Sequence, residues 1–101
     1  PYTIGSVTYP TFTSAYSTAF FRNAPSSGDM VKGSTTGASG TVLVVSVEDI
    51  TGDGVAGTFP TNNAEGYIYF VVTSGTLQDV EKLYFLNKDS AFGGDFDVEF
   101  T

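Results

Sequence analysis

Two short runs of β-branched and aromatic residues place the strongest constraint on how this chain folds. They span residues 41–48 (TVLVVSVE) and 67–73 (YIYFVVT), and turn residues such as Gly, Ser and Asp lie next to both. Val, Thr, Tyr and Phe favour strands, because their side chains lose rotamer freedom against a helical turn but pack well on a pleated sheet. The two runs therefore predict two central β-strands.

Shorter runs of similar composition recur between turn residues along the rest of the chain. Short strands at such close spacing are typical of antiparallel sandwiches and small barrels. A chain of 101 residues has room for one core, so we expect a single domain over residues 1–101. The predicted fold is all-β: an antiparallel β-sandwich or small β-barrel of about seven strands, with an extended N-terminal arm in residues 1–12. The further strands are expected at residues 4–9, 15–22, 29–32, 81–86 and 96–101.

The charge of the chain argues against two classes of partner. It has 11 acidic and 4 basic residues, which gives a formal net charge of −7. Binding to a nucleic acid or to an anionic membrane surface requires clustered Lys and Arg, whereas the basic residues here are single and scattered. No stretch approaches the roughly 20 apolar residues that span a bilayer. We therefore expect neither a nucleic acid nor a membrane as partner.

The composition also leaves few groups that could catalyse a reaction. The chain has no His and no Cys, which removes the commonest general base and the thiol nucleophile. Residues 33–40 (GSTTGASG) look like a phosphate-binding loop, but they lack its Gly-Lys-Ser/Thr ending and lead into a predicted strand, which favours a simple turn. Asp95, Asp97 and Glu99 alternate along the last predicted strand, as expected of a solvated edge. We interpret the chain as non-enzymatic.

One spacing resembles a calcium-binding loop. In residues 49–54 (DITGDG) the oxygen-bearing side chains and the second glycine fall where an EF-hand loop has them. The glutamate that closes such a loop is missing, and Asp-Gly pairs are also the usual residues of tight turns. A turn without a cofactor is the favoured interpretation. In the calcium alternative the ligands would be Glu48, Asp49 and Asp53, joined by Glu65.

Both central runs carry apolar side chains on both faces of the strand. A strand with one face in the core and the other in water needs them on one face only. In the first run, Val42 and Val44 are expected on one face and Val45 on the other, and the second run alternates in the same way. A well-wrapped core would explain the pattern, and an interface with another protein or another copy of the chain is the alternative. The predicted partner-binding residues are Tyr2, Ile4, Tyr9 and Phe12 in the arm and Tyr67 and Tyr69 in the second run.

Three segments resemble a pattern found in structural proteins of tailed bacteriophages. They are residues 30–42 (MVKGSTTGASGTV), 66–69 (GYIY) and 72–83 (VTSGTLQDVEKL), and the resemblance spans about residues 29–85, just over half of the chain. The chain departs from the pattern by an insertion around residues 53–63, by Leu77 in place of Phe, and by Val80 where Gly precedes Glu81.

The resemblance implies a β-rich virion protein, which occurs in head, neck, tail and fibre components. Together with the acidic charge and the two-sided strands, it favours a capsid decoration (cement) protein on the virion surface. Such a protein would bind and stabilise the major capsid protein shell as a homo-oligomer, with a trimer favoured. The alternative is a tail, fibre or cell-surface binding module for a carbohydrate or a receptor.

Overall fold

The structure is a computed structural model that describes residues 1–19, 25–58, 63–85 and 98–100. Within these ranges the chain consists of strands, turns and irregular segments, with no helix. The strands are β1 (Tyr2–Ile4), β2 (Val7–Tyr9), β3 (Thr11–Ala19), β4 (Met30–Gly33), β5 (Ser39–Val47), β6 (Ala64–Ser74), β7 (Glu81–Phe85) and β8 (Val98–Phe100).

Strands β3 to β8 form one antiparallel sheet of six strands in the order β3-β6-β5-β4-β7-β8. The sheet curls into a nearly closed barrel, so the predicted all-β fold is confirmed. Its two edge strands, β3 and β8, meet through their aromatic rings. Phe12 of β3 lies edge-on to Phe100 of β8, with ring centroids 5.2 Å apart, and the contact brings the two ends of the sheet together.

The core fills the inside of this barrel, and β6 contributes its centre. Ile68, Phe70 and Val72 are buried in one apolar cluster, while Tyr69 between them is 39% exposed. The faces predicted for β6 are therefore confirmed, although Val71, on the Tyr69 side and outside this cluster, is also fully buried. Phe12 packs against the same cluster, with its ring 5.9 Å from that of Phe70.

The predicted alternation of β5 is wrong, because a β-bulge interrupts the strand. Val42 pairs with Phe70, but Val44 pairs with the next residue of β6, Tyr69, so Leu43 is the extra residue of the bulge. Val42 is consequently buried, whereas Val44 points away from the barrel and is 52% exposed.

The N-terminal segment is a β-hairpin. Strands β1 and β2 pair only with each other, and Gly5 and Ser6 form the turn between them, with Gly5 at a φ of +63° that suits glycine. The single strand expected at residues 4–9 is therefore wrong. Residues 11 and 12 belong to β3 of the barrel, so the arm ends before them.

Several predicted strands continue into residues that the structure does not describe. Residues 20–22 and 86, and residues 96, 97 and 101 of the last predicted strand, lie outside the described ranges. Asp95 and Asp97 lie outside them too, whereas Glu99 of β8 is exposed as expected.

Val80 occupies a left-handed backbone conformation that a β-branched residue rarely adopts. Its φ is +64°, and it is the one residue other than glycine with positive φ in the described ranges. Its N–H donates to the carbonyl oxygen of Phe100 at 2.7 Å, which fixes this conformation in the turn before β7. The departure from the phage pattern thus falls on a position where glycine fits better.

We expect Val80→Gly to raise the free energy of unfolding by about 1 kcal/mol and the melting temperature by about 4 °C, because relief of strain exceeds the entropy cost of glycine. Val80 is 61% exposed, so little packing is lost. Val55→Gly is the matched control, because Val55 is 63% exposed without positive φ. It should be neutral or destabilising. Thermal unfolding followed by circular dichroism measures both, and equal shifts for the two variants would contradict the prediction.

Candidate functional site

The N-terminal hairpin carries four apolar side chains on one face. Tyr2 pairs with Tyr9 and Ile4 pairs with Val7, and cross-strand partners two residues apart point to the same side of a hairpin. Tyr2, Ile4 and Val7 are 43%, 50% and 51% exposed, and Tyr9 is half-buried. We call these four residues the apolar hairpin face.

The opposite side of the hairpin is polar. Thr3 pairs with Thr8, and their hydroxyl oxygens are 3.1 Å apart. Both threonines are exposed. The hairpin is therefore amphipathic, it pairs with none of the described strands of the barrel, and three of the four side chains on its apolar side are exposed.

The structure brings together three of the four partner-binding residues that were predicted in the arm. Tyr2, Ile4 and Tyr9 lie on the apolar hairpin face, and the prediction missed Val7. Phe12 is a correction, because it packs inside the barrel against Phe70 and Phe100 and is not presented to a partner. The mirror-like sequence YTIGSVTY around Gly-Ser was the signal from which a hairpin could have been found.

A second exposed surface lies on the outside of β3, β6 and β5. Tyr69 pairs with Val44 on one side and with Thr13 on the other, and Tyr67 occupies the neighbouring row. Tyr69 and Val44 are exposed, and Tyr67 is half-buried. Tyr67 and Tyr69 are therefore placed on one surface, as predicted, and Val44 joins them because of the bulge. We call the following residues the outer face: Thr13, Ala15, Val44, Ser46, Tyr67 and Tyr69.

The loop of residues 33–40 does bind an anionic group, but that group belongs to the protein itself. The Glu81 carboxylate is buried, with 1% of the residue exposed, and its Oε2 accepts hydrogen bonds from the N–H groups of Thr35 and Thr36, both at 2.9 Å. The Thr36 hydroxyl and the N–H of Gln78 donate to Oε1 at 3.0 and 2.7 Å. This loop is therefore a structural clamp, and its donors are not free for a phosphate.

Hydrogen bonding sets the direction in which the pKa of the Glu81 carboxyl is shifted. Burial alone would raise the pKa of the Glu81 carboxyl, but the N–H groups of Thr36, Gln78 and Thr35 outweigh it and hold the pKa below the ordinary value of 4.5. The folded protein therefore binds this proton less tightly than the unfolded chain. The stability that Glu81 contributes is present above pH 4.5 and is lost as the pH falls through its lowered pKa.

We expect the stability difference between the wild type and Glu81→Gln to shrink as the pH falls below about 4.5, because the variant has no proton to take up at this site. Urea unfolding at pH 7, 4 and 3 measures it. A difference that stays constant over this range would mean that the clamp does not depend on the charge of Glu81.

Three carboxylates converge at the loop after β5. Single oxygen atoms of Asp49, Asp53 and Glu65 all lie within 4.8 Å of one another. The calcium alternative named Glu48 as a ligand, which is corrected, because the Glu48 carboxylate is exposed, accepts from the Ser46 hydroxyl at 2.7 Å and does not join the three. Glu65, which the calcium alternative also named, is buried at the start of β6 and does belong to the cluster.

Backbone N–H groups already donate hydrogen bonds to two carboxylates of this acidic cluster. Hydrogen bonds from the N–H groups of Gly54 and Gly52 hold the pKa of the Asp49 carboxyl below its ordinary value, although desolvation opposes them. Glu65 Oε1 accepts from the N–H groups of Ile50 and Thr51 at 2.9 and 3.2 Å. The loop is therefore held by its own hydrogen bonds, as expected of a turn. The carboxylates of Asp49, Asp53 and Glu65 are also the kind of group that a hard cation such as calcium binds.

Glu65 and Glu81 use the same local arrangement. In each case two consecutive N–H groups and the hydroxyl of a threonine that precedes glycine donate to a buried carboxylate, at Thr36-Gly37 for Glu81 and at Thr51-Gly52 for Glu65. Sequence reasoning missed both clamps. For Glu81 the signal was present, because residues 33–35 (GST) and Glu81 both lie in the segments that resemble the phage pattern.

Comparison with known proteins assigns no family to the chain. No protein-family model matches it, and no match was found among curated proteins or among solved structures. Within the described ranges, no helical segment has the length and hydrophobicity of a membrane span. What the chain does must therefore be inferred from its own surfaces.

Proposed function

We propose that this chain is a non-enzymatic virion structural protein, a capsid decoration protein that binds and stabilises the shell of the major capsid protein. Its place would be the capsid surface, where it acts as a homo-oligomer. The apolar hairpin face is the surface that binds the shell. The resemblance to structural proteins of tailed bacteriophages supports the virion assignment.

The observation that carries this proposal is the exposure of the apolar hairpin face. Tyr2, Ile4 and Val7 are each about half exposed, and no strand of the barrel pairs with the hairpin. Apolar surface that leaves water contributes about 25 cal/mol per Å², so covering such a face favours binding to a partner. A hairpin is also a compact projection that can enter the joint between two neighbouring shell subunits.

The buried clamps fit a structural role. A decoration protein must keep its shape while it binds, and Glu65 and Glu81 each tie a loop to a strand through several charge-assisted hydrogen bonds. Neither carboxylate is presented as a reacting group, because each is buried and already accepts several donors.

We expect Val7→Glu to reduce binding to capsid shells at least tenfold, because a charge in the apolar hairpin face must lose its water on docking. Shells assembled from the major capsid protein of the same genome, pelleted with increasing amounts of the variant, give the affinity. Thr3→Glu is the control, with the same charge on the opposite side of the same hairpin.

The wild type and Thr3→Glu should sediment with the shells alike. Unchanged binding of Val7→Glu, with thermal unfolding showing that the variant is folded, would contradict the role of the hairpin. A wild type that does not pellet with shells would overturn the decoration role itself. Binding to a glycan array or to host cells instead would favour the alternative, a tail, fibre or cell-surface module.

A calcium-stabilised module is the second candidate, and the approach of Asp49, Asp53 and Glu65 within 4.8 Å is the observation that favours it. Calcium takes six to eight oxygen ligands, so these carboxylates would be joined by carbonyl oxygens or water. Melting in millimolar calcium and in excess chelator decides this candidate. A calcium-dependent rise in melting temperature that Asp53→Asn removes would support it, and identical curves would reject it.

A further inference from the structure

Asp53 and Gly54 form the one pair in the sequence in which Asp or Asn precedes Gly. At such a pair the backbone nitrogen of the glycine can attack the side-chain carboxyl carbon of the aspartate, because glycine has no Cβ to hinder the approach. Both residues are exposed in the loop after β5, so water reaches them. The pair therefore combines the sequence and the exposure that spontaneous isomerisation of an aspartate requires.

This isomerisation has two steps and needs no reactant except water. In the first step the Gly54 nitrogen loses its proton and forms a bond to Cγ of Asp53, while a C–O bond of the carboxyl group breaks and a water molecule leaves. In the second step water opens the five-membered succinimide ring. Attack at the former backbone carbonyl gives isoaspartate, in which the backbone runs through Cγ and is one CH₂ longer. The chain as a whole neither gains nor loses atoms.

The structure holds both reacting groups in hydrogen bonds. The Gly54 N–H donates to Oδ2 of Asp49 at 2.9 Å, and Oδ1 of Asp53 accepts from the N–H of Val55 at 3.0 Å. Asp49 is itself fixed, because its Oδ1 accepts from the N–H of Gly52 at 2.9 Å. Ring closure therefore requires that the Gly54 nitrogen give up the proton that it donates to Asp49.

We propose that Asp53 is the site at which this chain forms isoaspartate, and that Asp49 slows the reaction by holding the Gly54 N–H. A nitrogen that loses its proton also loses a charge-assisted hydrogen bond. The negative charge that develops on the nitrogen lies beside the Asp49 carboxylate, and like charges disfavour it. Asp49 is thus a positioning residue in a modification site. The inference goes beyond the proposed function and does not depend on it.

Conversion to isoaspartate would change the loop. The added CH₂ lengthens the backbone between residues 53 and 54, so the bonds from Gly54 to Asp49 and from Val55 to Asp53 cannot both keep their present geometry. The free carboxyl group of isoaspartate is attached directly to Cα, which moves it relative to Asp49 and Glu65. Asp49 therefore preserves the conformation of this loop over the lifetime of the protein.

The test measures isoaspartate after the full chain has stood for several weeks at physiological temperature and pH. An isoaspartate-specific methyltransferase gives the amount, and peptide mapping gives the position. Excess chelator is present throughout, so that a bound cation cannot supply the protection. Asp49→Ala removes the acceptor of the Gly54 N–H. Glu48→Ala is the matched control, because it removes the adjacent exposed carboxylate, whose described hydrogen bond is from the Ser46 hydroxyl.

We expect the folded wild type to form isoaspartate about tenfold more slowly than the same chain unfolded in guanidinium chloride, which corresponds to the loss of one such hydrogen bond. Folded Asp49→Ala should approach the rate of the unfolded chain, and Glu48→Ala should match the wild type. Asp53→Glu should form none at this position, because the longer side chain would have to close a six-membered ring. Circular dichroism confirms that each variant is folded.

Deuterium exchange provides a readout that needs no substitution. The Gly54 N–H should exchange about tenfold more slowly in the folded wild type than in the unfolded chain. An unprotected Gly54 N–H, equal isomerisation of the folded and unfolded wild type, or a rate in Asp49→Ala no higher than in Glu48→Ala would each overturn the inference. A slower reaction in Asp49→Ala than in the wild type would overturn it too, because Asp49 would then act as the base that takes the proton.

Discussion

Glu81→Gln should lower the free energy of unfolding by about 3 kcal/mol at pH 7, the largest loss we expect from a change of one functional group. The carboxylate accepts from three N–H groups and one hydroxyl. An amide keeps a single acceptor oxygen and turns its own NH₂ group toward these donors, so buried N–H groups lose their partners. Urea denaturation measures the change.

Glu48→Gln is the control for this variant, because the Glu48 carboxylate is exposed and its one described bond is from the Ser46 hydroxyl. We expect it to change stability by less than about 0.5 kcal/mol. Faster amide hydrogen exchange at Thr35 and Thr36 in Glu81→Gln would identify the clamp as the site of the loss. Equal losses in the two variants, or unchanged exchange at these amides, would contradict the prediction.

Gly40→Ala is expected to cost about 3 kcal/mol of stability, because the added methyl group has no room. Gly40 lies in the centre of the sheet, paired with Val31 of β4 and Val72 of β6. A Cβ at this position would meet the carbonyl oxygen of Val71 and would lie 2.9 Å from the Cα of Val72. These are backbone atoms of a central strand, so relief requires that the sheet itself shifts.

Gly37→Ala separates this effect from the conformational cost of losing a glycine. Gly37 has a φ of +75° and open space around the position of a Cβ. We therefore expect a loss of only about 1 kcal/mol from the left-handed backbone. Denaturant unfolding of both variants gives the comparison. A Gly40→Ala protein no less stable than Gly37→Ala would show that the sheet accommodates the methyl group.

The positions of the strands were predictable because amino-acid composition and the alternation of side chains reflect the preference of a local segment for β structure. Residues 41–48 and 67–73 became β5 and β6, and the faces of β6 followed from its regular period of two. The faces of β5 did not, because a bulge depends on how the strand pairs with its neighbour. Val44 is exposed only because Leu43 is skipped in the pairing with β6.

The candidate site was predictable in part for the same reason. Tyr2, Ile4 and Tyr9 share a face because they are two residues apart or paired across a tight turn, and both relations can be read locally. The burial of Glu81 could not be predicted from composition, since a carboxylate is normally exposed. It becomes stable only when a loop more than forty positions away supplies three of its four donors.

The meeting of Phe12 with Phe100 also has a consequence for the order of folding. These rings come from the two edge strands, and almost the whole described length of the chain lies between them. Contacts so distant in sequence carry a large loop-closure entropy and form slowly. The approach of β3 and β8 should therefore be a late kinetic step, and until it occurs the two edge strands lack each other's cover, which leaves a newly made chain vulnerable to aggregation.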